Sequence, residues 1–237
     1  MNDISAYQKF AQEVLGLRFN DPELLITAFT HRSYLNEHRR TVLTHNERLE
    51  FLGDAVLELV VTEYLYVNYS EQEGVLTNWR SALVRTESIS AAAAAHGFET
   101  MLRLSRGEKR GTRRARAQIL ANAYEAVIGA IYIDQGYEAA KNFIDKTILS
   151  TFSDILKSGA WIDPKSQLQE LIQSREGLTP SYKVISEEGP DHDKLFTVGV
   201  FIDGKQIGKG SGPSKQAGQQ QAAEEALRTY YKDSMQT

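Results

Sequence analysis

Apolar residues recur at helical spacing along the first part of the chain, which predicts an all-helical region. The longest predicted helix runs from about Asn46 to Tyr69, and a second internal helix from about Ala117 to Asp134. The apolar positions of the first helix include Leu49, Leu52, Val56 and Leu59. The second helix is rich in small residues, namely Ala121, Ala123, Ala126, Gly129 and Ala130. Small side chains would allow a neighbouring helix to approach it closely.

The pattern changes near residue 158, where a short polar stretch with a glycine is typical of a linker. Beyond it, alternating β-forming residues and an Asp203-Gly204 tight-turn signal predict strands between two helices. The predicted order is helix 165–173, strands 182–186, 196–202 and 205–210, and helix 214–231. We therefore expect a mainly α protein in two domains. An all-helical domain spans residues 1–157, a linker spans 158–163, and a small α+β domain of order α-β-β-β-α spans 164–237.

Composition narrows the class of protein. The 237 residues are 41% hydrophobic and 24% charged, an ordinary globular mixture. Cysteine is absent, so disulfides and thiolate metal sites are excluded. The apolar stretches are too short to span a bilayer, and the N-terminus lacks the layout of a signal peptide. These features fit a protein of the reducing cytoplasm.

The formal net charge of -4 argues against a nucleic-acid binder, but the charges are unevenly distributed. One segment is strongly basic and contains Arg103, Arg106, Lys109, Arg110, Arg113, Arg114 and Arg116. Such a segment could bind phosphate groups, or it could be a solvated loop. The sequence alone leaves both interpretations open.

Three acids share one face of the first long helix. Glu47, Glu50 and Asp54 fall within an arc of roughly 60°, opposite the apolar stripe. Like charges this close repel each other, so a hard divalent cation with oxygen ligands would explain the arrangement. A solvated acidic face is the alternative. Gly53 lies mid-helix, where glycine costs about 1 kcal/mol relative to alanine, and this favours close approach by another backbone.

The second internal helix carries a matching pair of oxygen-bearing side chains. Asn122 and Glu125 are three residues apart, so they project from the same face. If the two helices pack together, Glu50, Asp54, Asn122 and Glu125 could converge on one or two Mg²⁺ ions.

Several segments resemble the ribonuclease III family in the order in which that family has them. The segment from Asn46 to Leu57 resembles its signature, and Thr30 to Asn36 resembles the motif upstream. The segment from Ile119 to Asp134 resembles the second acidic helix, and the C-terminal part resembles a double-stranded RNA-binding domain. The match covers nearly the whole chain.

The resemblance implies roles for particular residues. Glu50, Asp54 and Glu125 would be metal ligands, with Asp54 and Glu125 catalytic, and Glu47 would lie in the outer shell. Asn122 stands where the family usually has Asp; its carbonyl oxygen can still bind a hard cation, but one negative charge is lost. The expected cofactor is Mg²⁺, for which Mn²⁺ can substitute.

The resemblance also implies a homodimer, in which Phe51 fills a hole in the partner subunit. A simple core phenylalanine is the alternative. His31 and His45 are expected to have capping or packing roles rather than to act as a general base.

In the C-terminal domain, the resemblance implies three groups of RNA contacts. They are Ser166, Gln169 and Glu170 on the first helix, Pro190 and His192 in the loop between the first two strands, and Ser214 and Lys215 at the start of the last helix. The family commonly has a pair of lysines at this last position, whereas this chain has only Lys215. We therefore expect weaker phosphate binding.

The implied function is Mg²⁺-dependent hydrolysis of double-stranded RNA to 5′-phosphate and 3′-hydroxyl ends, in the processing of ribosomal and messenger RNA. Two alternatives stay open. One is a double-stranded RNA-binding protein of the same fold without catalysis, which Asn122 would suit. The other is a metal-dependent enzyme acting on a small phosphorylated molecule.

Overall fold

A computed structural model of the chain describes residues 4–38, 43–159, 161, 163–190 and 194–234. They form two compact units, residues 1–161 and 162–237. The first unit is helical and the second has the order α-β-β-β-α, so the predicted fold class is confirmed. The bounds 158–163 for the linker stay a prediction, and Ala160 and Ile162 within it lie outside the described residues.

The helices of the first unit follow the predicted pattern, with one difference. Their bounds are α1 (Ile4–Phe10), α2 (Pro22–Ala28), α3 (Arg32–Glu37), α4 (Glu47–Asn68), α5 (Glu73–Val84), α6 (Thr86–Ala95), α7 (Arg113–Gln135), α8 (Tyr137–Thr147) and α9 (Phe152–Ser158). The first predicted internal helix has nearly the bounds of α4. α7 begins four residues before the predicted start at Ala117, because the Thr112 side chain caps it by accepting from the Ala115 N–H at 3.2 Å. No helix in the described ranges is long and apolar enough to cross a membrane.

The core of this unit forms where α4 and α7 pack against each other. α7 is buried along most of its length, and α4 buries a stripe that includes Leu49, Val56 and Val60. The predicted apolar stripe was wrong in one position, since Leu59 is 57% exposed. Leu59 follows Phe51 by eight residues, which places the two about 80° apart on one face. α4 therefore has a second, exposed apolar face.

Glycines let α4 and α7 come into backbone contact, as the sequence predicted for Gly53. A Cβ atom at residue 53 would overlap the backbone carbonyl of Glu125. In the same way, a Cβ at Gly129 would overlap the carbonyl of Leu49. Because this crossing lies beside Glu50, Asp54 and Glu125, it brings the acidic turns of the two helices together.

The second unit packs two helices against one face of a three-stranded antiparallel sheet. Its elements are α10 (Pro164–Glu176), β1 (Ser181–Glu188), β2 (Leu195–Ile202), β3 (Lys205–Gly212) and α11 (Lys215–Ser234), and the strand order is β1-β2-β3. Asp203 and Gly204 form the β2–β3 turn with positive φ angles of 45° and 77°. This confirms the predicted tight turn, because a two-residue hairpin of this type requires left-handed backbone.

A glycine stripe on β3 sets how closely α11 approaches the sheet. A Cβ at Gly208 or Gly210 would overlap the backbone of α11 at Ala222. Beneath this contact lies a small core, formed by Leu168, Ile172, Val200, Ile202, Ala222, Ala223, Ala226 and Leu227. The module therefore buries an apolar interior of its own.

Candidate metal centre and nucleic-acid interface

The carboxylates of α4 and α7 are close enough to perturb each other. Burial, and then the charges of Asp54 and Glu50, raise the pKa of Glu125 to about 8. Burial, followed by the charges of Glu47 and Asp54, also raises the pKa of Glu50. The α4–α7 crossing thus gathers three predicted ligands into one strongly negative, partly desolvated site.

Asn122 on α7 lies close to the acidic turn of α4. Its Oδ1 accepts a hydrogen bond from Gln118 Nε2 at 2.8 Å. The Asn122 side chain also lies near enough to the Glu50 carboxylate to offset part of the rise in the pKa of Glu50. The amide therefore lies beside the carboxylates, where the sequence predicted it.

The chemistry of this site fits a hard divalent cation. Its donors are carboxylate and amide oxygens, which Mg²⁺ and Mn²⁺ prefer. Within the described parts of the chain, no three His, Asp or Glu side chains are already arranged as a metal cage. Repulsion between unneutralised carboxylates favours side-chain positions that keep them apart, and a cation removes that repulsion.

Glu47 lies beside two basic side chains of the protein itself. Arg32 lies 3.5 Å and His45 Nδ1 3.8 Å from its carboxylate oxygens. Glu47 still contributes to the electrostatics, because its charge helps to raise the pKa of Glu50. This arrangement fits the outer-shell role expected for Glu47 better than direct ligation.

His31 begins α3 as its capping residue. Its Nδ1 accepts from the Ser33 backbone N–H at 3.2 Å, which is the capping role expected from the sequence. Burial is the main reason why the pKa of His31 is lowered. A neutral ring is suited to this acceptor role.

The exposed face of α4 is apolar at three positions spaced along its length. Phe51 is 81%, Leu59 57% and Tyr66 79% exposed in the isolated chain. Phe51 is therefore not a core residue of its own subunit. Large exposed apolar side chains along one helix face are typical of a protein–protein interface.

The basic segment divides into two kinds of residue. Arg103 lies over the Tyr34 ring, 4.4 Å from its centroid, and donates to Thr30 Oγ1 at 3.1 Å, so it is structural. The exposed members are Arg106, Lys109, Arg110, Arg113 and Arg114. Arg113 and Arg114 occupy the first turn of α7, where positive charge is unfavourable to the helix dipole. An anionic partner would offset this cost.

The predicted contact residues of α10 share one exposed face. Ser166, Gln169 and Glu170 are exposed, while Leu168 and Ile172 on the opposite side are buried. Pro190 follows β1 and is also exposed. His192, predicted in the same loop, lies outside the described residues.

Lys215 has an acidic partner that local sequence spacing does not reveal. Glu187 on β1 lies 3.5 Å from Lys215 Nζ and 3.5 Å from Lys194 Nζ. Ser214 caps α11, with its Oγ accepting from the Ala217 N–H at 3.1 Å. Ser214 therefore caps the start of α11, and the predicted phosphate-binding lysine beside it is paired with a carboxylate.

A cleft of about 360 Å³ lies near the C-terminal end of α4, whereas the predicted metal ligands lie near its N-terminal end. Its lining residues are Glu63, Tyr64, Val67, Asn68, Lys141, Asp145, Leu149 and Ser150. None of these was predicted as a site residue. In the cleft, the Glu63 carboxylate accepts hydrogen bonds from Lys141 Nζ at 2.8 Å and from the adjacent Tyr137 Oη at 2.6 Å. The predicted metal ligands lie at the α4–α7 crossing rather than in this cleft.

Comparisons with known proteins agree with the two units. Residues 21–152 match the family model "Ribonuclease-III-like", and residues 164–230 match "Double-stranded RNA binding motif". The chain is 45% identical to a protein named Ribonuclease 3 from Lactococcus lactis, over 93% of this chain and 96% of that protein. It is also 45% identical to Ribonuclease 3 from Enterococcus faecalis, over 92% of this chain and 95% of that protein.

A solved structure matches the helical unit. The nuclease domain of ribonuclease III from Campylobacter jejuni aligns with a TM-score of 0.55 and 37% identity, over 61% of this chain and 98% of that one. That nuclease domain is described as structurally flexible in a region involved in dimer formation. With its helical nuclease unit and its RNA-binding module in the same order, the chain belongs to the ribonuclease III family.

Proposed function

We propose that this chain is a Mg²⁺-dependent endoribonuclease that hydrolyses double-stranded RNA to 5′-phosphate and 3′-hydroxyl ends. The observation that carries the proposal is the packing of the acidic turns of α4 and α7 through Gly53 and Gly129. A purely structural helix pair gains nothing from acids that raise each other's pKa. A cation bound between these acids would neutralise their repulsion and could act on a phosphodiester beside them.

Four side chains would hold the metal: Glu50, Asp54, Glu125 and Asn122, the last through Oδ1. Asp54 and Glu125 are the residues we assign to catalysis. The Asn122 carbonyl oxygen has two lone pairs, so a bond from Gln118 leaves one for a cation. Bound Mg²⁺ would supply a Lewis acid that polarises the phosphate and activates water. Glu47 would stay in the outer shell, holding Arg32 beside the site.

The basic segment and the second unit would bind the duplex. Arg113 and Arg114 add positive charge to the amino end of α7, which already favours phosphate. In the RNA-binding unit, the proposed contacts are Ser166, Gln169, Glu170, Pro190, His192, Ser214 and Lys215. Contacts from such a module to 2′-hydroxyl groups and phosphates depend on shape more than on sequence.

Two active sites are needed to cut both strands, so we propose a homodimer built on the exposed face of α4 around Phe51. Residues 1–157 would form the catalytic and dimerisation domain, and residues 164–237 the RNA-binding domain, joined by the linker 158–163. The proposed setting is the cytoplasm, with ribosomal and messenger RNA precursors as substrates.

Incubation of a long RNA duplex with the purified chain tests the activity. We expect short duplex products with Mg²⁺ and intact duplex with a chelator. Asn122, which lowers the negative charge of the site, favours a second candidate, a duplex-binding protein without catalysis. Tight binding without cleavage over a range of Mg²⁺ and Mn²⁺ concentrations would support that candidate instead.

The Asn122→Asp variant tests the proposed ligand. Restoring the fourth carboxylate should lower the Mg²⁺ concentration needed for half-maximal cleavage, because a charged ligand attracts the cation more strongly. An unchanged or raised requirement would remove Asn122 from the set of ligands.

A further inference from the structure

The sheet of the RNA-binding unit has an outer face, on the side opposite to α10 and α11. The two helices pack on the inner face, against Val200 and Ile202. Because side chains alternate along a strand, Gly199 and Phe201 of β2 belong to the outer face. A Cβ atom at Gly199 would lie 2.8 Å from the Phe201 ring and 2.9 Å from Ile185 Cδ1. The glycine therefore makes room for an aromatic ring against the centre of the outer face.

Two lysines flank this ring from the neighbouring strands. Lys183 of β1 and Lys209 of β3 are the register partners of Gly199, one on each side. Strands are about 4.8 Å apart, so the two lysine backbones are about 10 Å from each other. Both side chains are exposed, and Lys183 Nζ lies 5.5 Å from the centroid of the Phe201 ring. The outer face thus combines an aromatic ring with two positive charges.

This combination suits single-stranded RNA. An unstacked base can lie against an aromatic ring while lysines bind the phosphates on either side of it. A duplex keeps its bases stacked inside the helix, so it has no base to offer to Phe201. An acidic protein segment would be attracted by the lysines, but its carboxylates would gain nothing from the ring.

The proposed duplex contacts lie on other parts of the unit. Most of them belong to α10 and to the start of α11, and these helices cover the inner face of the sheet. The remaining contacts, Pro190 and His192, belong to the loop between β1 and β2. A duplex and a single strand would therefore occupy different surfaces of one small unit.

We propose that the outer face of the sheet is a second RNA site, which binds single-stranded RNA. A base stacks on Phe201, and Lys183 and Lys209 hold the phosphates beside it. This inference goes beyond the proposed nuclease activity and does not depend on the metal centre. A substrate whose duplex ends in a single strand would offer both kinds of RNA to the unit.

Fluorescence anisotropy with a labelled uridine octamer tests the site in the full chain. A chelator prevents cleavage, and an excess of unlabelled blunt RNA duplex occupies the duplex-binding surface. We expect the octamer to bind under these conditions. Phe201→Leu keeps an apolar cover over Gly199 but removes the ring, and should weaken octamer binding about tenfold, the size expected for one stacked base. Its affinity for the duplex should equal that of the wild type.

Lys183→Gln and Lys209→Gln test the phosphate contacts. Each should weaken octamer binding about threefold at 0.1 M salt and reduce the slope of log K against log salt by about 0.7. Lys205→Gln is the matched control, because it removes the same charge from β3 at a position paired with Ile202 of the inner face. It should bind the octamer like the wild type.

Several results would overturn the proposal. They are loss of octamer binding once the duplex is present, unchanged binding by Phe201→Leu, and equal weakening by Lys205→Gln and Lys183→Gln, which would show that only net charge matters. A glutamate octamer that displaced the labelled RNA better than unlabelled uridine octamer would assign the face to an acidic protein segment instead. If Phe201→Leu also lost duplex binding, the unit would be misfolded, and the lysine variants would decide.

Discussion

The two units of this chain both depend on helices that approach a neighbouring backbone through glycine, yet they use the contact differently. In the nuclease unit, Gly53 and Gly129 join α4 to α7 beside mutually repelling carboxylates. In the RNA-binding unit, Gly208 and Gly210 on β3 meet α11 at Ala222, above an apolar core. The first contact gathers charge at a cost in stability, whereas the second is stabilising.

Two backbone donors beside the second contact are satisfied by side chains of α11. The backbone N–H groups of Lys209 and Ser211 on the edge strand β3 donate to the side chains of Glu225 and Gln221 on α11. At the first contact, by contrast, burial and repulsion together raise the pKa of Glu125 to about 8. This difference indicates that the α4–α7 crossing was selected for a function, because similar packing can be built without such a cost.

The largest effect should come from Gly53→Ala. The new Cβ would overlap the backbone of Glu125, so the helices must separate, which we expect to cost about 3 kcal/mol. Cleavage should be lost with it, because Glu125 would move away from Glu50. Trp79 and Trp161 both lie in the nuclease unit, so tryptophan fluorescence during urea unfolding reports on this unit.

Two further glycine variants test whether each close contact stabilises only its own unit. Gly74→Ala, in α5 where a Cβ meets nothing within 4 Å, should leave the midpoint of urea unfolding unchanged or slightly raised. Gly210→Ala should destabilise the RNA-binding unit and weaken duplex binding while the fluorescence transition stays in place. A Gly53→Ala protein as stable as Gly74→Ala would contradict the close crossing.

Glu125→Gln should abolish cleavage and yet stabilise the metal-free protein. Glutamine keeps the shape of the side chain without the carboxylate, so the variant should gain about 2 kcal/mol at pH 7, or roughly 5 °C in the Tm of the nuclease unit. Calorimetry without and with Mg²⁺ checks this, and the metal should raise the Tm of the wild type more than that of the variant. A variant less stable than the wild type without metal would show that the site carries no electrostatic cost.

We expect Glu125→Gln also to change how the free energy of unfolding depends on pH. The pKa of Glu125 in the folded, metal-free chain, about 8, lies above the ordinary value of 4.5. The folded state therefore binds a proton more readily than the unfolded state, and stability declines as the pH rises from about 4.5 through 8. Glu125→Gln should remove this part of the decline.

Patterns that repeat within one helix were readable from the sequence. The spacing of apolar residues predicted the bounds of α4 to within one residue at each end. Gly53 indicated close approach by another backbone, because glycine in mid-helix is costly relative to alanine. The Leu59 prediction failed because α4 is apolar on two faces, and periodicity does not say which of them meets the core. The first turn of α7 was missed because Arg113 and Arg114 interrupt the apolar pattern, while Thr112 caps the helix.

Contacts that depend on register or on side-chain orientation were beyond the sequence. Glu187 reaches Lys194 and Lys215 because of how β1 pairs with β2 and where α11 begins, and none of this can be read from local spacing. The Asn122 side chain accepts from Gln118, a partner that helical spacing alone did not single out. The type of site could be predicted, whereas the hydrogen bonds that tune it could not.

The smallest effect concerns the start of α11, where Glu187 neutralises Lys215, the lysine proposed to bind phosphate. Glu187→Gln should end the ion pair with Lys215, increase affinity for an RNA duplex about threefold at 0.1 M salt, and steepen the salt dependence of binding. Glu188→Gln removes the same charge one residue further along β1, from a carboxylate that accepts from Ser186 Oγ at 3.3 Å, and should change affinity much less. Equal gains in the two variants would show that only the net charge matters. A gain confined to Glu187→Gln, and lost again when Lys215→Ala is added, would locate phosphate binding at this lysine.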